Sequence, residues 1–250
     1  MTPKASILII GNEILSGRTQ DKNLHWLAGE LSGMGIKVAE AAVVPDIEAE
    51  IIATLNRHRA KYDYVFTSGG IGPTHDDITS ATIAKAFGVE LPRNEEAAQL
   101  LYAYYGTTDL SEARLKMAEI PAGAELILNP VSGAPGFKME NVYVMAGVPS
   151  IFKAMFNGLR HTLIGGDPIL SSSTTTFIAE SMVAKELGDL QNEYQQLDLG
   201  SYPFARDGNV GTRLVISGTD TAALQAAQTK LHAMLDNKRA TYQLDTSPSE

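Results

Sequence analysis

Residues 67–79 read Thr-Ser-Gly-Gly-Ile-Gly-Pro-Thr-His-Asp-Asp-Ile-Thr, a concentration of the residue types that phosphate chemistry uses. Gly69, Gly70 and Gly72 allow backbone amides to come close to an anion, and a helix start just beyond them adds partial positive charge. Ser68, Pro73 and Thr74 complete the candidate ligand loop. Asp76 and Asp77 supply the oxygen ligands that hard divalent cations prefer. Between residues 62 and 84 there is no lysine or arginine. A phosphate bound here must therefore be neutralised by amides, by residues from elsewhere or by a metal. The plainer alternative is that Asp77 or Thr79 caps the following helix and Asp76 is solvated. A Walker A loop is excluded because no Gly-Lys-Ser/Thr occurs, and a dinucleotide fingerprint is excluded because position 75 is His75. His75 reads equally as a ligand or as an exposed loop histidine.

Three further segments are rich in small and polar residues. Gly11, Asn12 and Glu13 are followed by Asp21 and Asn23; Ser132, Gly133, Ala134, Pro135 and Gly136 form one loop; Gly147, Val148 and Pro149 form another. In a parallel sheet the first segment shares an edge with residues 69–77. Glu13, Asp21 and Asn23 are then expected to face Asp76 and Asp77 across one cleft, giving Asp76, Asp77, Glu13 and Asp21 as candidate metal ligands. Asp21 as a helix cap and Asn12 in a turn are compatible alternatives, and the two later loops are equally readable as plain turns.

The elements that must position these segments follow from periodicity. Residues 6–11 (SILIIG), 37–44 and 62–68 read as strands, the first fully buried. Helices are predicted over 21–34, with Leu24, Leu27 and Leu31 on one face, and after Asp46, which reads as an N-cap before Ile47, Ile51 and Leu55. Alternation of strand and helix implies a helix-covered, mostly parallel sheet. Helices over 97–105 and 112–119, strands over 125–129, 136–140 and 142–146 and a helix over 149–161 complete this α/β domain, 1–166. After the break at 165–168 a smaller α+β two-layer module is expected over 170–237, with strands 174–179, 199–204 and 211–217 and helices 180–196 and 221–235. A polar tail, 238–250, is expected to fray.

The 250 residues carry 20 basic and 29 acidic side chains, a formal charge of −9, which argues against a general nucleic-acid binder. The absence of cysteine excludes disulfides, thiolate metal sites and a cysteine nucleophile. No apolar run reaches the roughly 20 residues of a membrane helix, and the first residues lack the pattern of a signal peptide. A cytoplasmic protein without membrane contact is expected. The 97–105 helix carries Leu100, Leu101, Tyr102, Tyr104 and Tyr105 nearly all round, which suggests a face covered by another surface and hence a homodimer.

The motifs GNEILSG (11–17), DKN (21–23), GGIGPTHDDIT (69–79), NPVSGAPGF (129–137) and GVP (147–149) occur in that order. With them the chain resembles the molybdopterin-binding (MoaB/MogA-like) domain superfamily, and within it the CinA N-terminal type, which is also similar to the N-terminal domain of eukaryotic FAD synthases. Asn12, Ser132-Gly133 and Ala146 depart from the usual pattern. The resemblance implies a three-layer α/β/α fold and Asp77, with Asp76, as functional acids. It further implies a metal-dependent (Mg, Mn or Co) pyrophosphohydrolase acting on a phosphorylated ligand such as ADP-ribose or FAD. Binding or adenylation of molybdopterin, and ligand binding without turnover, are the alternatives.

Overall fold

The computed structural model describes residues 2–206 and 209–245. The chain divides into two units, the first ending at Gly166 and the second starting at Asp167. The first contains, in order, β1 (Lys4–Ile10), α1 (Asn12–Leu15), α2 (Asn23–Gly33), β2 (Lys37–Val44), α3 (Glu48–Lys61), β3 (Tyr64–Ser68), α4 (Thr79–Phe87), α5 (Glu95–Tyr105), α6 (Glu112–Leu115), β4 (Glu125–Ile127), β5 (Gly136–Met139), β6 (Val142–Met145) and α7 (Pro149–Leu159). A 3-10 turn, Lys116–Ala118, continues α6.

The strands form one sheet in the order β2-β1-β3-β6-β5-β4. The first four run parallel, and β5 and β4 are added antiparallel. Strand β1 is buried from Ala5 to Ile10 and apolar from Ile7 to Ile10 because both of its faces are covered. Leu8 and Ile10 join Val65, Leu55, Ile83 and Leu101 in one core, and Ile7 and Ile9 join Phe66, Leu27, Phe152 and Phe156 in the other. The result is a three-layer α/β/α unit with a mostly parallel sheet.

Helix α5 was expected to leave an apolar face. Instead Ala97, Ala98 and Leu101 enter the core and Tyr102 and Tyr105 pack against it. Tyr104 abuts Gly133, and Arg114 lies 4.0 Å over the Tyr105 ring. Most of the apolar face of α5 is thus covered within the unit, and Tyr104 stays 51% exposed. Trp26 packs edge-on against Phe152 and Phe156 of α7.

The second unit runs β7 (Leu170–Thr176), α8 (Ala184–Glu193), β8 (Asp198–Arg206), β9 (Asn209–Gly218), α9 (Thr221–Asn237) and β10 (Tyr242–Asp245). Its antiparallel sheet has the order β10-β7-β9-β8, so the βαββαβ succession builds the ferredoxin-like arrangement. Three boundaries differ from expectation. Strand β7 spans residues 170–176 where 174–179 was expected, taking in the whole serine–threonine run; Thr174 and Thr176 are buried with their hydroxyls bonded, to His232 Nε2 (3.1 Å) and the Thr241 carbonyl (3.1 Å). The helix predicted over 180–196 shortens to 184–193 behind a 3-10 turn. Part of the expected tail pairs with β7 as β10, covering an otherwise open sheet edge; residues 246–250 of that tail lie outside the described residues. Among the described residues no helix is long and apolar enough to cross a membrane.

Candidate functional site

Strands β1, β3 and β6 lie side by side and parallel, so the segments that follow them leave the sheet at one edge. Strand β5 runs against β6, pairing Phe137 with Val144, and so starts at that edge. All four motif segments therefore meet at the carboxyl ends of a parallel sheet, where open α/β folds bind ligands.

The glycines make this convergence possible. Gly69 has φ 107°, and a Cβ there would lie 2.3 Å from the Ile10 carbonyl oxygen. Its N–H donates to the Met145 carbonyl at 3.1 Å, while Gly147 packs against its Cα. The ends of β1, β3 and β6 can close on each other only without side chains at these points. Asn23, buried beneath, donates from Nδ2 to Ser68 Oγ and to the Gly147 carbonyl, both at 2.8 Å. Its Oδ1 is buried and has no partner. Thr79 closes the loop: its hydroxyl donates to the Gly69 carbonyl (3.0 Å) and its N–H to the Gly70 carbonyl (2.9 Å).

The two acids gather on Thr74. Asp77 Oδ2 accepts the Thr74 N–H (2.8 Å), and the Thr74 hydroxyl lies 2.5 Å from both Asp77 Oδ2 and Asp76 Oδ1. The two carboxylates are thus no more than twice that distance apart. Asp77 folds inward over Gly72, whose missing Cβ leaves room for it. It shapes the loop instead of capping α4, whose N-cap, Ile78, has no side-chain hydrogen bond. Asp76 is 63% exposed. Its carboxyl is held below the usual carboxylate range first by the Thr74 hydroxyl and then by its own backbone N–H, with His75 and Lys116 adding smaller attractions. His75 is 98% exposed, as for a solvated loop histidine.

The other predicted residues separate into scaffold and surface. Gly11, Asn23, Ser68, Gly69, Pro135 and Gly136 are buried, whereas Asn12, Glu13, Pro73, Thr74, Gly147, Val148 and Pro149 are exposed. Asp21 accepts the N–H groups of Asn23 (3.4 Å) and Leu24 (2.9 Å) and serves the start of α2. The Glu13 carboxylate lies over Gly11. Among the described residues no three histidine, aspartate or glutamate side chains gather to hold a metal, so Asp76, Asp77, Glu13 and Asp21 do not form the expected single ligand set. The 129–136 loop is organised by Asn129. Its Nδ2 donates to Ser132 Oγ (2.6 Å) and the Ala134 carbonyl (2.9 Å), and its Oδ1 accepts from the N–H groups of Val131 and Ser132. Gly133, at φ 73°, lets this loop press onto Tyr104.

Two site residues escaped the sequence reading. Asp46, expected to cap α3, instead accepts the Asn12 N–H at 2.8 Å and so holds α1 at this edge. Its position after β2, the neighbour of β1, was the available signal. Lys116, 42 residues from the loop in sequence, donates from Nζ to the Thr74 carbonyl. The only hint of it was the lack of any cation between residues 62 and 84.

Comparison with known proteins agrees with this architecture. Residues 6–164 match the family described as "Probable molybdopterin binding domain", and residues 168–243 match "FAD synthase, middle domain". A Pyrobaculum calidifontis protein is 36% identical over 80% of this chain and 81% of its own length. The "Probable FAD synthase" of Caenorhabditis elegans is 31% identical over 92% of this chain, which spans 50% of that longer protein. A crystal structure titled as the protein CinA with unknown function, from Thermoplasma acidophilum, superposes with a TM-score of 0.62 at 36% identity, covering 64% of this chain and 98% of that one. The family match over residues 6–164 and the likeness to the CinA structure have one common explanation: the chain is a CinA-like member of the probable molybdopterin binding domain family.

Proposed function

We propose that this chain is a metal-dependent pyrophosphohydrolase of a nucleotide diphosphate compound, ADP-ribose- or FAD-like. The observation that carries the reading is the pair of carboxylates, Asp76 and Asp77, gathered on Thr74 at a glycine-lined sheet edge. Two carboxylates are what a Mg²⁺ or Mn²⁺ ion uses when waters and ligand phosphates complete its shell, so the donor set fits such an ion without a dedicated cage. Asp76 and Asp77 would hold it. When bound, the ion supplies charge neutralisation at the phosphoryl oxygens and a more acidic water. In the reaction water adds to one phosphorus, the bridging P–O bond breaks and two monophosphates leave with release of a proton. The lowered carboxyl of Asp76 suits a ligand that stays ionised and makes it a weak proton acceptor. The half-buried backbone at Gly70 and Gly72 is open to the phosphoryl oxygens, and Asn23 with Ser68 keeps the edge rigid beneath them. The names of the FAD synthase relatives support a nucleotide-type ligand.

A second reading is binding or adenylation of molybdopterin, favoured by the family match over residues 6–164. Screening ADP-ribose, FAD, NADH and CoA with Mg²⁺, Mn²⁺ and Co²⁺ by coupled phosphate release separates the two. Turnover of one of them that stops in chelator supports the hydrolase. Pterin binding with no turnover supports the second reading, and binding of a nucleotide alone supports a non-enzymatic ligand protein. Assembly as a homodimer belongs to the same proposal, and a monomer in light scattering at tens of micromolar would refute that part.

A further inference from the structure

We infer that Lys116 is the side chain that meets the phosphate charge of the ligand, acting from outside the loop that holds the acids. The inference rests on the reading of a phosphorylated ligand at this edge. A divalent ion on Asp76 and Asp77 is cancelled by the two carboxylates. A pyrophosphate diester brings two further negative charges, and residues 62–84 contain no lysine or arginine to offset them. The fold supplies a cation from the 3-10 turn Lys116–Ala118. The Lys116 stem is half-buried and its ammonium rests on the Thr74 carbonyl, two residues from Asp76. An ammonium has three donors, and one carbonyl engages one of them. Elsewhere in the chain Lys61 and Lys85 hydrogen-bond to carboxylates, at 3.3 and 2.6 Å; Lys116 bonds to a neutral carbonyl beside two carboxylates. That contact fixes the head group at the loop without neutralising it, which is the state a phosphate-binding lysine needs.

The competing role is a mechanical pin for Thr74, and charge separates the two. Glutamine at 116 can still donate to the Thr74 carbonyl but carries no charge; arginine keeps the charge. The test is calorimetric titration of the full chain with inorganic pyrophosphate and Mg²⁺ at low and high KCl. Lys116→Gln is expected to weaken binding about tenfold or more and to flatten its salt dependence, while Lys116→Arg stays within about threefold of the unaltered chain. A Gln variant that binds as tightly as the unaltered chain, or Gln and Arg variants weakened equally, would overturn the inference and leave Lys116 a pin. Failure of the hydrolase reading shows differently: the unaltered chain binds pyrophosphate, Lys116→Gln weakens it, and no nucleotide diphosphate compound is cleaved. An unaltered chain that binds no pyrophosphate overturns both.

Discussion

The two edges of the first sheet treat charge in opposite ways. Toward the amino ends of its strands, Glu40, in the first half of β2, is ringed by donors from the end of α3. Tyr62 Oη donates to it at 2.5 Å, Lys61 Nζ at 3.3 Å and Arg57 also donates, with His58 Nε2 3.3 Å away. These bonds, Tyr62 foremost and Arg57 next, hold the Glu40 carboxyl at about 2. At the carboxyl ends, Asp76 and Asp77 share one hydroxyl, and the nearby Lys116 rests on a neutral carbonyl. The most perturbed carboxyl of the pair of regions is therefore the closed one. A strong shift marks a group that the protein has already satisfied as readily as one it keeps for a ligand. What distinguishes the ligand edge is acid left open to solvent beside close-packed glycine backbone.

The sharpest way to break this contrast is to neutralise one acid at each edge. Asp77→Asn should lower turnover about a hundredfold or more, and the thermal midpoint should move little, because an amide oxygen can still accept the Thr74 N–H. Glu40→Gln should do the reverse, lowering the thermal midpoint in calorimetry and leaving turnover per folded molecule intact. Equal loss of turnover and stability in Asp77→Asn would make it a loop brace like Glu40.

The sequence carried the ligand edge further than it carried the acids' partners. Strands such as residues 6–11 are legible because a sheet covered on both faces demands an unbroken apolar run. The common edge of the 11–23, 69–77 and 147–149 segments follows from parallel order alone, and the 129–136 loop joins it through the antiparallel pairing of β5 with β6. The assignments of Asp21 and Asp46 turned on which backbone N–H each carboxylate would meet, and for Asp46 that donor is Asn12, 34 residues away in sequence. Lys116 depends on a long-range contact with no local signature. In the second unit, β10 was hidden because its four residues gain a strand only from β7 beside them.

Glycines give the next largest expected effect. Gly69→Ala combines a left-handed backbone with a Cβ 2.3 Å from a carbonyl of the neighbouring strand end, and should cost about 3 kcal/mol or more in urea unfolding. Gly88, the left-handed cap of α4, has open space around it, and Gly88→Ala should cost about 1 kcal/mol. Similar costs at the two positions would mean that the strand ends can move apart, and the rigid ligand edge would have to be given up.

Acid titration probes the closed edge most strongly. His58 is fully buried, and burial lowers its pKa against the pull of Glu40. The unfolded chain therefore binds the proton more readily, and stability is full above about pH 6.5 and declines as the pH falls below it. Glu40, lowered from 4.5 to about 2, adds a second decline between those values. Thermal midpoints measured from pH 7.5 down to 3 should show both steps, and His58→Gln should remove only the first. A single step below pH 4.5 in the unaltered chain would show that His58 is charged in the fold and that the edge is less closed than its contacts imply.

The smallest expected effect tests which acids of the ligand edge are chemistry and which are scaffold. Asp21 spends its carboxylate on the N–H groups of Asn23 and Leu24, so Asp21→Ala should cost about 1 kcal/mol of stability, the value of a helix-start cap. Its effect on Mn²⁺ affinity, read by calorimetry, should be within error, because both Asp21 oxygens are held at the start of α2 by backbone donors and Asp21 does not gather with the 69–79 acids. Asp76→Ala should show the converse, with affinity falling and stability nearly unchanged, since its side chain stands in solvent and its hydrogen bond to Thr74 duplicates one that Asp77 makes. Loss of Mn²⁺ affinity in Asp21→Ala would mean that α2 moves on metal binding and brings its first turn to the 69–79 loop. The division between the two edges would then hold for the free chain only.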